Sequence, residues 1–290
     1  MHLVITDSGL GGLTICAGLE RALRQRAECG DVRLTYVNAW PEEGRGYNAF
    51  PDVPARVEVF DRALRAMTRM APDRILIACN TLSILYPLTE HHRTRTVPVQ
   101  GIIEAGLAVF SEALDADPSG TIVLLGTRTT IESDVHRQGL LRRGVAARRI
   151  ASASCHGLAT AIEGGPLSPA AGEMIEACAE RASETLSNDG PLFVGLCCTH
   201  YGMVGDRLAG AIARRTGRAV RALDPNERLV RDALPGLERS TGRPGRIVVE
   251  MISKVTLSDT RREAVAEVVD PVSPATAAAL RTCTHEPDLF

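Results

Sequence analysis

Two short segments place a cysteine thiol beside other polar side chains, directly after an apolar run. They are residues 79–81 (Cys-Asn-Thr) and residues 198–200 (Cys-Thr-His). A thiol at a strand end and near a helix N-terminus meets oriented N–H groups that favour the thiolate. We therefore expect the pKa of Cys79 and of Cys198 to fall from ~8.5 toward neutrality, where a sulfur can accept and return a proton.

A third polar turn follows the first apolar run of the chain. Residues 7–12 (Asp-Ser-Gly-Leu-Gly-Gly) have a flexible backbone that can approach an anion closely. The glycine spacing does not match the Gly-x-Gly-x-x-Gly pattern of dinucleotide-binding folds. Ordinary helix capping by Asp7 and Ser8 is the alternative interpretation.

The polar turns recur with a long internal period. Asp7 precedes Cys79 by 72 positions, and Thr127, which ends a similar strand, precedes Cys198 by 71. Ligands of open α/β sheets bind at the carboxyl ends of the strands. The spacing therefore predicts two similar α/β halves, each with a cysteine turn at the carboxyl end of a strand.

Short β-branched runs alternate with longer amphipathic stretches along most of the chain. This pattern predicts an α/β fold with mostly parallel sheets flanked by helices. The predicted strands are residues 3–6, 33–38, 74–78, 97–103, 121–125, 191–196, 219–223 and 247–251, and helices are predicted at 57–70, 171–186 and 259–268. Residues 235–244 are turn-rich, and the chain after 268 is interpreted as irregular.

Composition argues against several classes of protein. The 33 basic and 35 acidic side chains nearly balance, and only 3% of residues are aromatic, which disfavours a nucleic-acid binder. No apolar run approaches the ~20 residues that span a bilayer. The eight cysteines contain no CxxC pair, and no leader precedes the first strand. We therefore expect no metal, no membrane, no disulfide framework and a reducing cytoplasm.

Four motifs, in this order and separation, resemble glutamate racemase and the wider aspartate/glutamate racemase superfamily. They are residues 6–14 (Thr-Asp-Ser-Gly-Leu-Gly-Gly-Leu-Thr), 79–83 (Cys-Asn-Thr-Leu-Ser), 126–127 (Gly-Thr) and 198–201 (Cys-Thr-His-Tyr). The resemblance covers about residues 3–230. It implies two pseudosymmetric α/β domains, 1–97 with 218–290 and 98–217, and an active site between them. It also implies an amino-acid or other carboxylate substrate and no cofactor; a homodimer is kept open.

The resemblance assigns a role to each matching position. It implies that Cys79 and Cys198 are the two catalytic bases. Asp7 and His200 resemble the acid/base residues that assist the thiols, and Glu163 sits where a carboxylate assists near His200. The substrate-binding positions implied in the same way are Ser8, Tyr47, Asn80, Thr81, Thr127 and Thr199.

The chemistry of racemisation agrees with this assignment. Inverting a stereocentre by proton transfer needs a base on one face of the α-carbon and an acid on the other. Two thiols fit, one as thiolate and one as thiol, and they exchange roles in each turnover. Because the α-proton is much less acidic than a thiol, binding of the carboxylate and exclusion of water must lower most of the barrier.

Some positions depart from the family pattern. Residues 38–48 lack the Pro-Tyr-Gly order of glutamate racemases, Leu82 replaces a small residue, and Gly202 replaces proline. These changes concern the pocket for the substrate side chain, so racemase chemistry is better supported than glutamate as substrate. Arg45 and Arg128 are candidates to meet an acidic side chain.

Three other functions are compatible with the motifs. The same superfamily scaffold supports decarboxylation or cis-trans isomerisation through an enolate-like intermediate. A pyridoxal-phosphate racemase would need Lys254, the only lysine of the chain, as its Schiff-base residue. A two-lobed binding protein without catalysis is the third possibility.

Overall fold

Parallel strands form one sheet in each of two units of the chain. The structure, a computed structural model, describes residues 1–26, 30–94, 96–186, 190–236 and 245–290. One unit comprises Met1–Ile102 and Leu229–Phe290, and the other comprises Ile103–Arg228. This arrangement confirms the predicted α/β class with parallel sheets.

The helices and strands follow the chain in this order. The first part contains β1 (His2–Asp7), α1 (Leu13–Arg24), β2 (Val32–Asn38), α2 (Val53–Arg69), β3 (Arg74–Ile77), α3 (Asn80–Leu85), α4 (Glu90–Thr94) and β4 (Val99–Gly101). Next come α5 (Ile103–Ala116), β5 (Thr121–Gly126), α6 (Arg128–Glu132), α7 (Val135–Arg142), β6 (Ile150–Ser154), α8 (Leu158–Glu163), α9 (Pro169–Glu184), β7 (Leu192–Cys197), α10 (Gly205–Thr216) and β8 (Val220–Leu223). The last part contains α11 (Asn226–Ala233), β9 (Ile247–Ser253), α12 (Asp259–Val269), α13 (Pro274–Arg281) and β10 (Thr284–His285).

The two sheets share a strand order. The first sheet runs β10-β9-β2-β1-β3-β4 and the second runs β6-β5-β7-β8. In the first sheet, β1 pairs in parallel with β2 on one side and with β3 on the other. In the second sheet, β5 pairs in the same way with β6 and with β7. The order β2-β1-β3-β4 thus recurs as β6-β5-β7-β8, so the internal period of the cysteine turns corresponds to a repeat in connectivity.

Both faces of the second sheet are covered, as parallel sheets require. Phe193 and Cys197 of β7 pack with side chains of α5. Val194 and Leu196 pack on the opposite face with side chains of α9 and α10, and so does Cys198. Cys197 and Cys198 thus point to opposite sides of the sheet, because side chains of a strand alternate.

Some predictions from the sequence need correction. β6 was not predicted, because it contains one β-branched residue and otherwise only alanine and serine; its pairing with β5 makes it a strand. The segment after 268 is not irregular, since it contains α13 and β10. The turn-rich stretch 235–244 lies largely outside the described residues.

The unit boundaries fall later in the chain than the sequence-based ones. β4 pairs with β3, which places residues 98–102 in the first unit. β8 pairs with β7, which places residues 218–228 in the second unit. Within the described ranges, every helix is too short or too polar to cross a bilayer.

Candidate active site

Cys79 lies at the carboxyl end of β3, where it is the N-cap residue of α3. Its sulfur accepts a hydrogen bond from the Leu82 N–H at 3.5 Å and lies 3.3 Å from Ser8 Oγ. The residue is only 5% exposed. The first cysteine turn therefore holds a buried thiol between a hydroxyl and the first N–H groups of a helix.

Asp7 ends the neighbouring strand, β1, and is also buried. Its Oδ2 accepts the Gly12 N–H at 2.6 Å. A Cβ atom at position 12 would lie 2.8 Å from the Cβ of Ala78, so only glycine allows this close approach. The glycine-rich turn thus folds tightly around the carboxylate of Asp7.

The pKa of Cys79 moves in the direction opposite to our expectation. Burial raises it well above the ordinary value, and the negative charge of Asp7 raises it further. Hydrogen bonds from Ser8 and from the Leu82 N–H lower the pKa but do not compensate for the lost hydration. The expectation of a pKa near neutrality is wrong for Cys79, whose surroundings favour the protonated thiol.

Asp7→Asn and Ser8→Ala should shift the reactivity of Cys79 in opposite directions. Asp7→Asn removes a charge that raises the pKa of Cys79, so alkylation by iodoacetamide below that pKa should accelerate about three- to tenfold. Ser8→Ala removes a hydrogen bond that lowers the pKa and should slow alkylation. Mass spectrometry of the peptide containing Cys79 measures both rates, and the Cys283 peptide is the internal control. Equal effects of the two variants would contradict this electrostatic account.

Asn80, beside Cys79 in sequence, and Tyr47 carry buried side-chain polar atoms without a hydrogen-bond partner. Asn80 is 3% exposed, and neither its Oδ1 nor its Nδ2 is hydrogen-bonded. Tyr47 is equally buried, its hydroxyl has no partner, and its ring belongs to the apolar cluster that contains Cys79. A buried polar group without a partner costs about 1–3 kcal/mol. These two groups can therefore accept hydrogen bonds from, or donate them to, a polar ligand next to the Cys79 turn, where Thr81 is also buried.

Cys198 follows β7 and precedes a 3₁₀ helix at Thr199–Val204. Its sulfur lies 3.7 Å from His200 Nδ1. The other ring nitrogen, Nε2, lies 2.5 Å from Glu163 Oε1, at the end of α8. All three side chains are buried. The second cysteine turn therefore contains a chain of thiol, imidazole and carboxylate along which a proton can move, with the carboxylate fixing the ring tautomer.

The two threonines predicted to bind substrate in the second unit also support local structure. Thr127 is the N-cap residue of α6, and its Oγ1 lies 3.0 Å from Thr130 Oγ1. The carbonyl oxygen of Thr199 accepts a hydrogen bond from Asn226 Nδ2 at 3.0 Å. The neighbouring Tyr201 donates its hydroxyl to the Cys155 carbonyl at 2.9 Å.

The structure groups the predicted site residues into two sets. Asp7, Ser8, Asn80, Thr81 and Tyr47 accompany Cys79 in the first unit, and Thr127, Glu163, Thr199 and His200 accompany Cys198 in the second. The sequence interpretation missed Asn226, which donates a hydrogen bond to Thr199 of the second set, and Asp224, which accepts the Asn226 N–H. Asp224 directly follows the predicted strand 219–223 and Asn226 comes two positions later, so the strand-end signal that identified the cysteine turns also applied to them.

Other candidate residues are engaged elsewhere. The Lys254 ammonium donates to the Phe290 carbonyl oxygen at 2.5 Å and lies 4.2 Å from the centre of the Phe290 ring. Arg45 pairs with Glu42 at 3.2 Å, whereas Arg128 is exposed. In the part of the chain that the structure describes, no group of three or more His, Cys, Asp or Glu side chains is arranged to hold a metal ion.

The chain is similar to known racemases in sequence and in fold. The family model described as Asp/Glu/Hydantoin racemase matches residues 8–233. Glutamate racemase from Deinococcus radiodurans is 28% identical over 260 residues, which cover 88% of this chain and 81% of that protein.

Two solved structures share the fold. Glutamate racemase from Campylobacter jejuni has a TM-score of 0.66 at 20% identity, covering 93% of this chain and 97% of that one. Glutamate racemase from Francisella tularensis, solved with D-glutamate, has a TM-score of 0.65 at 19% identity, covering 92% and 93%. The resemblance and the isomerase class inferred from the motifs are confirmed. This chain belongs to the Asp/Glu/Hydantoin racemase family.

Proposed function

We propose that this protein is a cofactor-independent amino-acid racemase in which Cys79 and Cys198 act on opposite faces of the substrate α-carbon. The observation that carries the proposal is the matched pair of thiols. Each lies buried at the end of the third strand of a repeated four-strand order, and each contacts a polar side chain of its own unit. A single-base reaction needs only one such thiol.

In each turnover one cysteine gains a proton from the substrate and the other gives a proton to it. In one direction the thiolate of Cys198 takes the α-proton, and the electron pair left on the α-carbon delocalises into the substrate carboxylate. The Cys79 thiol then donates its proton to the opposite face. The enzyme is left with a Cys198 thiol and a Cys79 thiolate, which is the form that starts the reverse reaction.

The charge of the substrate stabilises the thiolate of Cys79. Burial and the charge of Asp7 oppose ionisation of Cys79. An α-ammonium group beside the Cys79 turn brings a positive charge, which lowers the pKa of the thiol. Thiolate formation at Cys79 is therefore coupled to the presence of an amino-acid substrate.

The buried polar groups select a small zwitterion. Asn80 and Tyr47 offer an amide and a hydroxyl for the α-carboxylate and α-ammonium groups. Ser8, Thr81, Thr127 and Thr199 contribute further hydroxyls. We propose glutamate as the first substrate to test, because the relatives named above are glutamate racemases and one was solved with D-glutamate. The cytoplasmic location and the homodimer stay predictions.

The test is a screen of both enantiomers of the common amino acids in deuterium oxide. Racemisation, measured by chiral chromatography, should accompany deuterium incorporation at the α-carbon, measured by mass spectrometry. Asn80→Ala should raise KM for the accepted substrate about tenfold or more without lowering thermal stability, because it removes a buried amide that has no partner in the free protein. Ligand-protected thiols without any exchange would instead indicate a binding protein.

A further inference from the structure

Asp224 and Asn226 form a hydrogen-bonded turn directly after β8. The Asn226 N–H donates to Asp224 Oδ1 at 2.9 Å. The Asn226 side chain then donates from Nδ2 to the carbonyl oxygen of Thr199 at 3.0 Å, in a buried contact. The turn therefore holds the peptide group that joins Thr199 to His200.

The same turn packs against Gly202. A Cβ atom at position 202 would lie 2.4 Å from Asp224 Oδ2 and 2.8 Å from Asn226 Nδ2. The side chains of Asp224 and Asn226 thus occupy the space that a larger residue at 202 would need. Glycine at 202 therefore leaves room for the Asp224 turn. The turn contacts the Cys198 turn at Thr199, before His200, and at Gly202, after it.

We propose that Asp224 and Asn226 are positioning residues, which hold the backbone of Thr199 so that His200 lies in line between Cys198 and Glu163. The expected effect of this positioning on kcat rests on the proposed function. Its structural consequence, the orientation of the His200 ring, does not depend on turnover. Asp224 and Asn226 act through His200 and are not catalytic residues.

The charge of Asp224 should lower the stability of the folded protein above its pKa. Burial raises its pKa to about 6, the nearby Glu227 contributes, and the Asn226 N–H acts in the opposite direction. When folding raises the pKa of a carboxyl group, the folded protein binds that proton more tightly than the unfolded chain does. The free energy of unfolding therefore decreases as the pH rises from the ordinary aspartate pKa of 3.8 to about 6. Above that pH the loss of stability is complete.

Asp224→Asn separates the hydrogen bond from the charge. Its amide oxygen can still accept the Asn226 N–H, so the turn should persist. We expect kcat within about twofold of the unchanged protein, and a higher Tm near pH 8 but not near pH 4. Asp224→Ala removes the acceptor and should lose the turn.

The decisive variant is Asn226→Ala, which removes the contact with Thr199. We expect kcat to fall about 10- to 100-fold while KM stays within about threefold. The variant changes the alignment of His200 between Cys198 and Glu163 but leaves the groups that bind substrate in place. The ¹H–¹³C signal of the His200 ring, assigned with His200→Gln, should shift in Asn226→Ala and Asp224→Ala and stay in place in Asp224→Asn. Glu227→Gln, an exposed change beside the turn, is the matched control and should alter neither.

The outcomes separate the two proposals. An unshifted His200 signal in folded Asn226→Ala would overturn the positioning role, even if racemisation is found. A shifted signal in a protein that racemises no amino acid would leave the positioning role standing and overturn the proposed function. If Asn226→Ala does not fold, an unshifted His200 signal in Asp224→Ala, with unchanged kcat, overturns the positioning role.

Discussion

Cys79→Ala and Cys198→Ala should each lower the rate of racemisation on the order of 10³-fold or more, within the range expected for loss of a positioned acid or base. Each variant lacks the group that serves one face of the α-carbon. The remaining thiol can still remove and return a proton on its own face, but without inversion. Chiral chromatography of product from each pure enantiomer measures the loss.

Exchange with solvent distinguishes the two variants. In deuterium oxide, Cys79→Ala should incorporate deuterium into one enantiomer only, and Cys198→Ala should incorporate it into the other. Cys283→Ala is the control, because this thiol is partly exposed and lies outside both cysteine turns. Two results would contradict the assignment of one base to each face of the α-carbon. They are loss of exchange with both enantiomers in one variant, and exchange of the same enantiomer in both variants.

His200→Gln and Glu163→Gln should have the next largest effects. His200 Nδ1 lies 3.7 Å from the Cys198 sulfur, and Nε2 lies 2.5 Å from Glu163 Oε1. Glutamine at 200 cannot relay a proton, so we expect kcat to fall about 10²- to 10³-fold. Glutamine at 163 keeps a hydrogen bond but removes the charge that stabilises an imidazolium, so a loss of about 10- to 100-fold is expected.

The side on which these variants act can be measured directly. Combined with Cys79→Ala, either substitution should suppress the exchange that Cys198 performs. Combined with Cys198→Ala, neither should affect the exchange that Cys79 performs. His156→Gln and Glu173→Gln are matched controls, since both side chains are exposed. Equal losses on both faces would show that His200 and Glu163 do not serve Cys198 specifically.

Much of the fold was predictable because buried parallel strands need nearly continuous apolar runs. β1, β3 and β7 are such runs, and the structure has them within two residues of the predicted bounds. β6 escaped prediction because alanine and serine carry little strand preference, and its pairing with β5 decides its structure. The helix α13 was not predicted, because its short alanine-rich sequence shows little amphipathic periodicity.

Without the family resemblance, contacts within the candidate site were predictable only between residues that are neighbours in sequence. Cys198 and His200 are two positions apart, and the strand end brings them into one turn. Glu163 is 37 positions from His200, so family resemblance located it and packing of α8 against the Cys198 turn makes the contact. Asn226 reaches Thr199 across 27 positions and was not assigned any role from sequence.

By itself the sequence determined that this protein is built of parallel α/β units with a thiol at equivalent strand ends, because strand patterns and turn residues are local properties. The tertiary structure alone decided the environment of each thiol. Cys79 keeps its proton because packing removes water from the sulfur and places the Asp7 carboxylate nearby. Cys198 meets a relay of His200 and Glu163 because a helix distant in sequence packs against its turn. Hydration and charge at a sulfur depend on which groups surround it in space, and those groups come from several strands and helices at once.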